Sequence, residues 1–351
     1  MDEGGKGRPD EGRLPVLEDV AKLADVSAMT VSRVLNSPEK VRPQTRDRVM
    51  AAVRRLGYRP KIVARVPPAG GSGILGFVTV DSPLFGPASM LFAVEQAARR
   101  HDYLISVIRL DAPDRRTLRD SVGLLRGLPV DGIIVNAPVE PALDGLRSLP
   151  ADLPLVVVAA AEDSPFPVAA IDQRAGAARA VRHLLGLGHE TVWHLAGPPG
   201  WVHAGCRQAA WREVLESEGR PVPEPIIGDW SARSGYEQGR LIARDPGITA
   251  VFAANDAMAL GLQRALWEAG RPVPDEVSVV GFDDVPESGY LVPPLSTVHQ
   301  DFGEVGHRAV RLLLDQLNEP EAAATAPLRS LIEPELVVRG STVPCRDLGD
   351  R

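Results

Sequence analysis

Cysteine is nearly absent from this 351-residue chain: Cys206 and Cys345 are too few for a disulfide framework and lack metal-ligand spacing. Both read as free thiols. Aromatic residues are only 5% of the total, which leaves little of the aromatic surface that protein-binding modules display. Long apolar runs are missing too. The longest candidate, Leu153 to Ala161, is interrupted by Pro154, so no transmembrane helix and no membrane partner are expected. The first fifteen residues are charged, carry Gly and Pro and hold no apolar stretch of the secretion-signal kind, so the expected location is cytoplasmic. Motifs of catalysis are lacking as well. There is no G-x-S-x-G and no phosphate-cradling G-x-x-x-x-G-K, and His183, His189, His194 and His203 show no metal spacing. Asp283 and Asp284 are adjacent on a strand and point to opposite sides, which defeats two carboxylates flanking one glycosidic bond. No enzymatic activity, cofactor or metal is expected.

What is present is unevenly distributed. The net charge is −7, yet residues 1–66 carry 14 Lys and Arg against 9 Asp and Glu, whereas the remainder carries 25 against 37. All four lysines (Lys6, Lys22, Lys40, Lys61) fall within the first 61 residues. A basic head on an acidic body points to a nucleic-acid contact at one end, with a solvated basic surface as the plainer alternative.

Periodicity divides the chain further. After an arm at 1–14, residues 15–60 read as short helices, with Leu17, Val20, Ala21, Ala24, then Val31, Val34, Leu35, then Val49, Val53, Leu56 at helical spacing. The stretch V-P-P-A-G-G-S-G at 66–73 cannot continue a helix and ends a linker taken as 61–73. From residue 74 short apolar runs such as I-L-G-F-V-T-V (74–80) and G-I-I-V-N (132–136) alternate with helix-length segments. Alternating β and α units imply parallel sheets, and some 270 residues of them favour two lobes with a cleft between. The expected core runs 74–340, with an N-lobe at about 74–171 and 302–328, a C-lobe at about 172–299 and 329–340, and a tail at 341–351.

Within the head, V-A-K-L-A-D-V-S-A-M-T-V-S-R-V-L (20–35) has the spacing of a helix-turn-helix, whose second helix enters the major groove. Ala28 and Met29 would then meet base edges by apolar contact, and Arg33 carries the fork suited to guanine. Thr30, Ser32 and Asn36 have short polar groups suited to phosphates. Ser27 and Thr30 are equally well explained as helix-start residues, so spacing alone leaves both readings open.

The residues themselves go further. D-V-A-K-L-A-D-V-S-A-M-T-V-S-R-V-L-N (19–36), followed by T-R-D-R-V-M-A-A-V-R-R-L-G-Y-R-P (45–60), closely resembles the lactose-repressor (LacI/GalR) family of bacterial transcription regulators. The resemblance continues through D-G-I-I-V-N (131–136), L-L-G-L-G-H (184–189), G-D-W-S-A-R-S-G-Y (228–236), A-N-D-A-M-A-L-G (254–261), V-S-V-V-G-F-D-D (277–284) and P-P-L-S-T-V-H-Q-D-F (293–302). It implies an all-α helix-turn-helix head, a hinge, and an α/β two-lobed periplasmic-binding-protein-like core that binds a small effector and forms a homodimer on double-stranded operator DNA. It also implies DNA contacts from Ser27, Thr45, Tyr58, Ala64 and Arg65. Two departures stand out. Val16 occupies the place of a usual Thr that caps the first helix, and Pro67 the place of a minor-groove Leu, where proline lacks a backbone donor.

In the core, the resemblance matches Asn136, Arg207, Trp230, Asn255 and Asp283 to effector-contacting positions of sugar-responsive members, with Gln300 and Phe302 near the lobe crossover; Trp201, like Trp230, is a candidate for the aromatic plane over a sugar ring. The chemistry agrees: sugar hydroxyls both donate and accept, which suits an Arg fork, a carboxylate and amides, while an indole covers the apolar ring face. Asn255 and Asp256 are also plausible helix caps, Trp230 plausible core, Asp284 a turn residue, and Asp172 an organiser of the crossover. The expected function is a repressor whose operator affinity is controlled by a mono- or disaccharide. A sugar-binding protein without DNA function is the rival.

Overall fold

The computed structural model describes residues 15–36, 40–58, 71–136, 138–150, 153–158, 164–320 and 329–345, and divides the chain into two compact units at Arg65 and Val66. The first holds α1 (Leu17–Ala24), α2 (Ala28–Asn36) and α3 (Pro43–Leu56). Val16 has no side-chain acceptor, but Asp19 three residues on accepts its backbone N–H at 2.8 Å, so half of a capping box survives the missing Thr. Asp25, in the left-handed region at φ 54°, ends α1, and Ser27 opens α2 by accepting from the N–H of Thr30 at 3.2 Å. Val20, Val31, Val34 and Val49, spaced for one face each, are buried together between the three helices.

The second unit is built from two six-stranded sheets. The first has the order β11 (Arg329–Ile332), β5 (Val168–Ile171), β4 (Leu155–Val157), β3 (Gly132–Asn136), β1 (Ile74–Val80), β2 (Leu104–Leu110), all parallel. The second has the order β12 (Glu335–Val337), β10 (Ser296–His299), β9 (Ser278–Asp283), β8 (Ala250–Ala253), β6 (Trp193–Ala196), β7 (Ile226–Ile227), parallel except for β12. Because helices cover both faces, the central strands are largely apolar and their alternate residues feed separate cores. In the first lobe, Val78, Ile133 and Val135 face α5 (Arg115–Arg126) and α6 (Glu140–Leu146), while Leu75, Phe77 and Ile134 face α4 (Phe85–Arg100) and α11 (Phe302–Asn318). In the second, Val251 and Val279 pack toward α9 (Ala232–Ile242) and α10 (Asp256–Glu268), and Phe252 and Phe282 toward α7 (Gln173–Gly186) and α8 (Val202–Ser217).

The chain crosses between lobes three times: from β5 to α7, from β10 to α11, and from β11 to β12. Two boundaries shift from the sequence expectation. Residues 329–332 belong to the first lobe, because β11 pairs in parallel with β5 along Arg329 to Ile332, so the last crossover falls at Glu333 and Pro334. Residues 341–345 are not a separate tail. Ser341 is fully buried and bonds to Val279 and Ser296, and the N–H of Cys345 donates to the carbonyl of Leu187 at 2.7 Å. At the other end, the N–H groups of Ser72 and Gly73 donate to the carboxylate of Asp131 at 2.6 and 2.9 Å, which seats the end of the expected linker on the first lobe. No helix of the described residues is long and apolar enough to cross a membrane.

Candidate functional sites

In the head, burial of Val31 and Val34 sets the outward face of α2. Met29, 71% exposed, and Arg33 lie one turn apart on that face. Ala28 is half-buried against the head's core, as is Tyr58, so Met29 is the member of the expected apolar pair that is presented. Ser27 is exposed and Thr30 half-buried; their hydroxyls sit 2.9 Å apart at the start of the helix, so both do the capping work. Ser32 is half-buried, and Thr45 lies in the first turn of α3, begun by Pro43. The Asn36 side chain, Ala64, Arg65, Val66 and Pro67 fall outside the described residues.

The eight core residues singled out from sequence, Asn136, Trp201, Arg207, Trp230, Asn255, Asp283, Gln300 and Phe302, line one interlobe cavity. Its walls differ. The second lobe supplies Arg207 from α8, Asn255 at the start of α10 and Asp283 at the end of β9, with Gln300 at the second crossover. The first lobe supplies Leu84, Phe85, Pro87, Met90 and Val158, and its polar contribution is Asn136, whose side-chain N–H donates to Thr79 Oγ1 at 3.4 Å.

Four side chains form a ring of three hydrogen bonds and one ion pair, its direction fixed at one end. Arg207 can only donate, and its Nε does so to Gln173 Oε1 at 2.8 Å. Gln173 Nε2 then donates to Gln300 Oε1 at 2.8 Å, and Gln300 Nε2 to Asp283 Oδ1 at 2.6 Å. Arg207 Nη2 closes the ring 3.7 Å from the same carboxylate oxygen. The guanidinium also donates to the carbonyl of Ala254 and lies over Phe282, its Cζ 3.7 Å from the ring centroid. Burial opposes every charge here. It pushes Asp283 up to about 7, against the pull of Arg207, and holds Arg207 down to about 10. Asp256, beneath the site, is pushed up to about 6 by burial while accepting from Val285 N, Ser288 Oγ and Thr297 Oγ1 at 3.0, 2.6 and 2.5 Å. These bonds pin the turn after β9, and with it Asp283.

The alternative readings of several residues prove compatible with a place in the wall. Asn255 is the cap of α10, its Oδ1 accepting from Met258 N at 2.9 Å, while its Nδ2 donates to the carbonyl of Trp230 at 3.0 Å. Trp230 is 5% exposed and packed in the second lobe's core, edge-on to Trp201 at 5.8 Å, yet its buried Nε1 has no partner among the described residues. It forms part of the wall; it is not an open stacking platform. Asp284 is a turn residue held by Arg339 and His299 at 2.7 and 3.1 Å, and Asp172 caps α7 and ties two crossovers through its N–H to Ile332 O at 2.9 Å.

Sequence reasoning missed Gln173, His203 and the hydrocarbon wall. Gln173 carries no motif of its own; its position two residues after a strand end was the available signal. His203 was weighed as a metal ligand, whereas it lines the cavity, with burial and Arg207 holding its imidazole down to about 3. Among the described residues no group of three His, Cys, Asp or Glu side chains is arranged to hold a metal ion.

Comparison with known proteins agrees with this architecture. Residues 16–61 match the family model of bacterial regulatory proteins of the lacI family, and residues 181–342 that of the periplasmic binding protein-like domain. The lactose operon repressor of Klebsiella pneumoniae is 34% identical over 341 residues, which cover 97% of this chain and 95% of that protein. The structure of the lac repressor dimer bound to operator and the anti-inducer ONPF superposes with a TM-score of 0.80 at 32% identity, over 94% of this chain and 100% of that one. A complex of the transcriptional regulator CelR with cellobiose superposes with a TM-score of 0.67 at 30% identity, over 93% and 99%. Near full-length identity of this order, with the head and the two-lobed core both matched, makes this chain a member of the lacI family of bacterial regulatory proteins.

Proposed function

We propose that this protein is a sequence-specific DNA-binding transcription regulator, a homodimeric repressor whose hold on a pseudo-palindromic operator is controlled by a small carbohydrate bound between the core lobes. The observation that carries the reading is the two-sided cavity. An Arg fork, a carboxylate and amides on one wall face hydrocarbon on the other, which is the complement of a pyranose, with polar hydroxyls around its rim and C–H groups on its face. Arg207, Asn255, Asp283 and Gln300 take the hydroxyls in this reading, while Trp201, Trp230 and Phe302 close around the ring. Asn136 adds an amide from the first lobe.

On the DNA side, Met29 and Arg33 read base edges. Ser27, Ala28, Thr30, Ser32, Asn36, Thr45 and Tyr58 position the head, and Ala64 and Arg65 belong to a hinge between a head at 15–60 and the core. Control requires the effector to prefer one arrangement of the lobes, because a ligand with equal affinity for both shifts nothing.

The test has two arms. Calorimetry of the full chain against lactose, cellobiose, ONPG and a purine base should give saturable binding for a sugar and none for the purine. Operator selected from random DNA should be released in a gel-shift, at stated salt, by that same sugar. Purine binding, or sugar binding without any specific DNA complex, overturns the reading.

A further inference from the structure

A contact across the cleft is made by backbone alone. Val139, which precedes α6 in the first lobe, and Trp201, which precedes α8 in the second, form an isolated antiparallel β-bridge. Val202 N–H donates to the carbonyl of Pro138 at 2.9 Å, and Glu140 N–H donates to the carbonyl of Gly200 at 3.0 Å. Both donors are first-turn helix N–H groups, which have no acceptor within their own helix. Neither Val139 nor Trp201 supplies a side-chain cap. Each lobe therefore provides the acceptor that the other lobe's helix lacks. The Trp201 side chain reinforces this by packing against the hydrophobic cores of both lobes while standing edge-on to Trp230.

We propose that the Val139–Trp201 bridge is a latch that holds the cleft closed before any effector arrives, with Trp201 as the residue through which an occupant tightens it. The bonds suit a reversible device. When the lobes part, both N–H groups pass to water, so opening exposes no stranded donor and the net strength of each bond stays modest. Pro138 and Trp201 also line the cavity, so a ligand there touches the latch from inside. The second half of the proposal, the tightening by an occupant, rests on the effector reading above. The first half does not.

Val202→Pro deletes one latch donor while leaving the helix start intact, and Val202→Ala controls for the lost side chain. Proline is favoured at the first helical position, and Trp201 already has the extended backbone, φ −86° and ψ 119°, that a residue before proline adopts. Small-angle scattering and amide hydrogen exchange on the intact, ligand-free protein should show a larger radius of gyration for Val202→Pro than for Val202→Ala. Exchange at Glu140 should be faster by about threefold to tenfold, the equivalent of one modest hydrogen bond. Identical scattering and exchange in the two variants overturn the latch. If Val202→Pro does not fold, Glu140→Pro, whose preceding Val139 is extended at φ −122° and ψ 136°, makes the same comparison from the other side. With cellobiose as the probe, affinity should fall by up to that factor through the lost closed population. Absence of cellobiose binding in every variant counts against the carbohydrate reading and leaves the scattering result to decide the latch.

Discussion

At Asp283 two demands meet. The carboxylate is wanted as an acceptor beside Arg207, yet burial favours its neutral form and pushes it up to about 7. Its folded-state pKa is thus raised above the unfolded value of about 3.9. Stability from this group is fully present below pH ~4 and is lost as pH rises through about 7. Asp283→Asn keeps an acceptor for Gln300 and removes the titration. Thermal melts from pH 4 to 8 should therefore show wild type losing stability relative to the variant across that window. Parallel curves would mean that Asp283 is ionised throughout. The buried histidines, such as His194 held down to about 4 by burial, act in the opposite direction but cancel in this comparison. On the DNA side, Arg33 projects from α2 one turn beyond the exposed Met29. Arg33→Ala should cost ~1–3 kcal/mol at one guanine per half-site and relax the preference there. Equal losses on selected and random DNA in a binding titration would assign Arg33 to phosphate instead.

Among the elements, α9 and α10 make the tightest crossing. A Cβ on Gly261 would stand 1.9 Å from the carbonyl oxygen of Ala232, and one on Gly235 2.2 Å from that of Met258. Both helices also begin at the cavity, α9 just after Trp230 and α10 just after Asn255, with the Asn255-to-Trp230 hydrogen bond joining their starts. Gly261→Ala should cost ~1–3 kcal/mol by forcing the helices apart. It should weaken effector binding as well, because Trp230 and Asn255 move with their helices. Gly205→Ala on α8 meets nothing within 4 Å and should be neutral or gain up to ~1 kcal/mol from helix propensity. Chemical denaturation of the two variants separates crowding from a general intolerance of alanine.

Over the whole molecule, a chain of hydrogen bonds links the cavity to the crossovers. Arg207 reaches Gln173 at the first crossover, and Gln173 reaches Gln300 at the second, so a group that lines the cavity bonds directly into the segments that join the lobes. Arg207→Ala should leave a protein that folds and binds operator but no longer releases it when sugar is added. Truncation strands buried partners at a cost of ~1–3 kcal/mol each. Gel-shifts with and without sugar check this. A variant that is still released at the same sugar concentration, or one that binds no operator at all, would remove Arg207 from effector contact.

Much of this was legible in the chain because it is local. Helical spacing in 17–56, the runs at 74–80 and 132–136, and the basic excess before residue 66 each depend on neighbours in sequence, and motif resemblance supplied the polar residues of the cavity. Strands such as β5, V-A-A-I, and β11, R-S-L-I, are not distinguishable in the chain, since a run of only four residues becomes a strand when a partner offers its ladder. Tertiary structure alone decided that β11 belongs to the first lobe and that residues 341–345 are tied to the second, with Ser341 buried in it. It also decided that Trp230 is wall and packed core at once, and that two helix starts some sixty residues apart satisfy each other across the cleft. Residue type and period are properties of the chain. Burial, hydrogen-bond direction and the pairing of orphan N–H groups arise only when distant segments exclude water from one another.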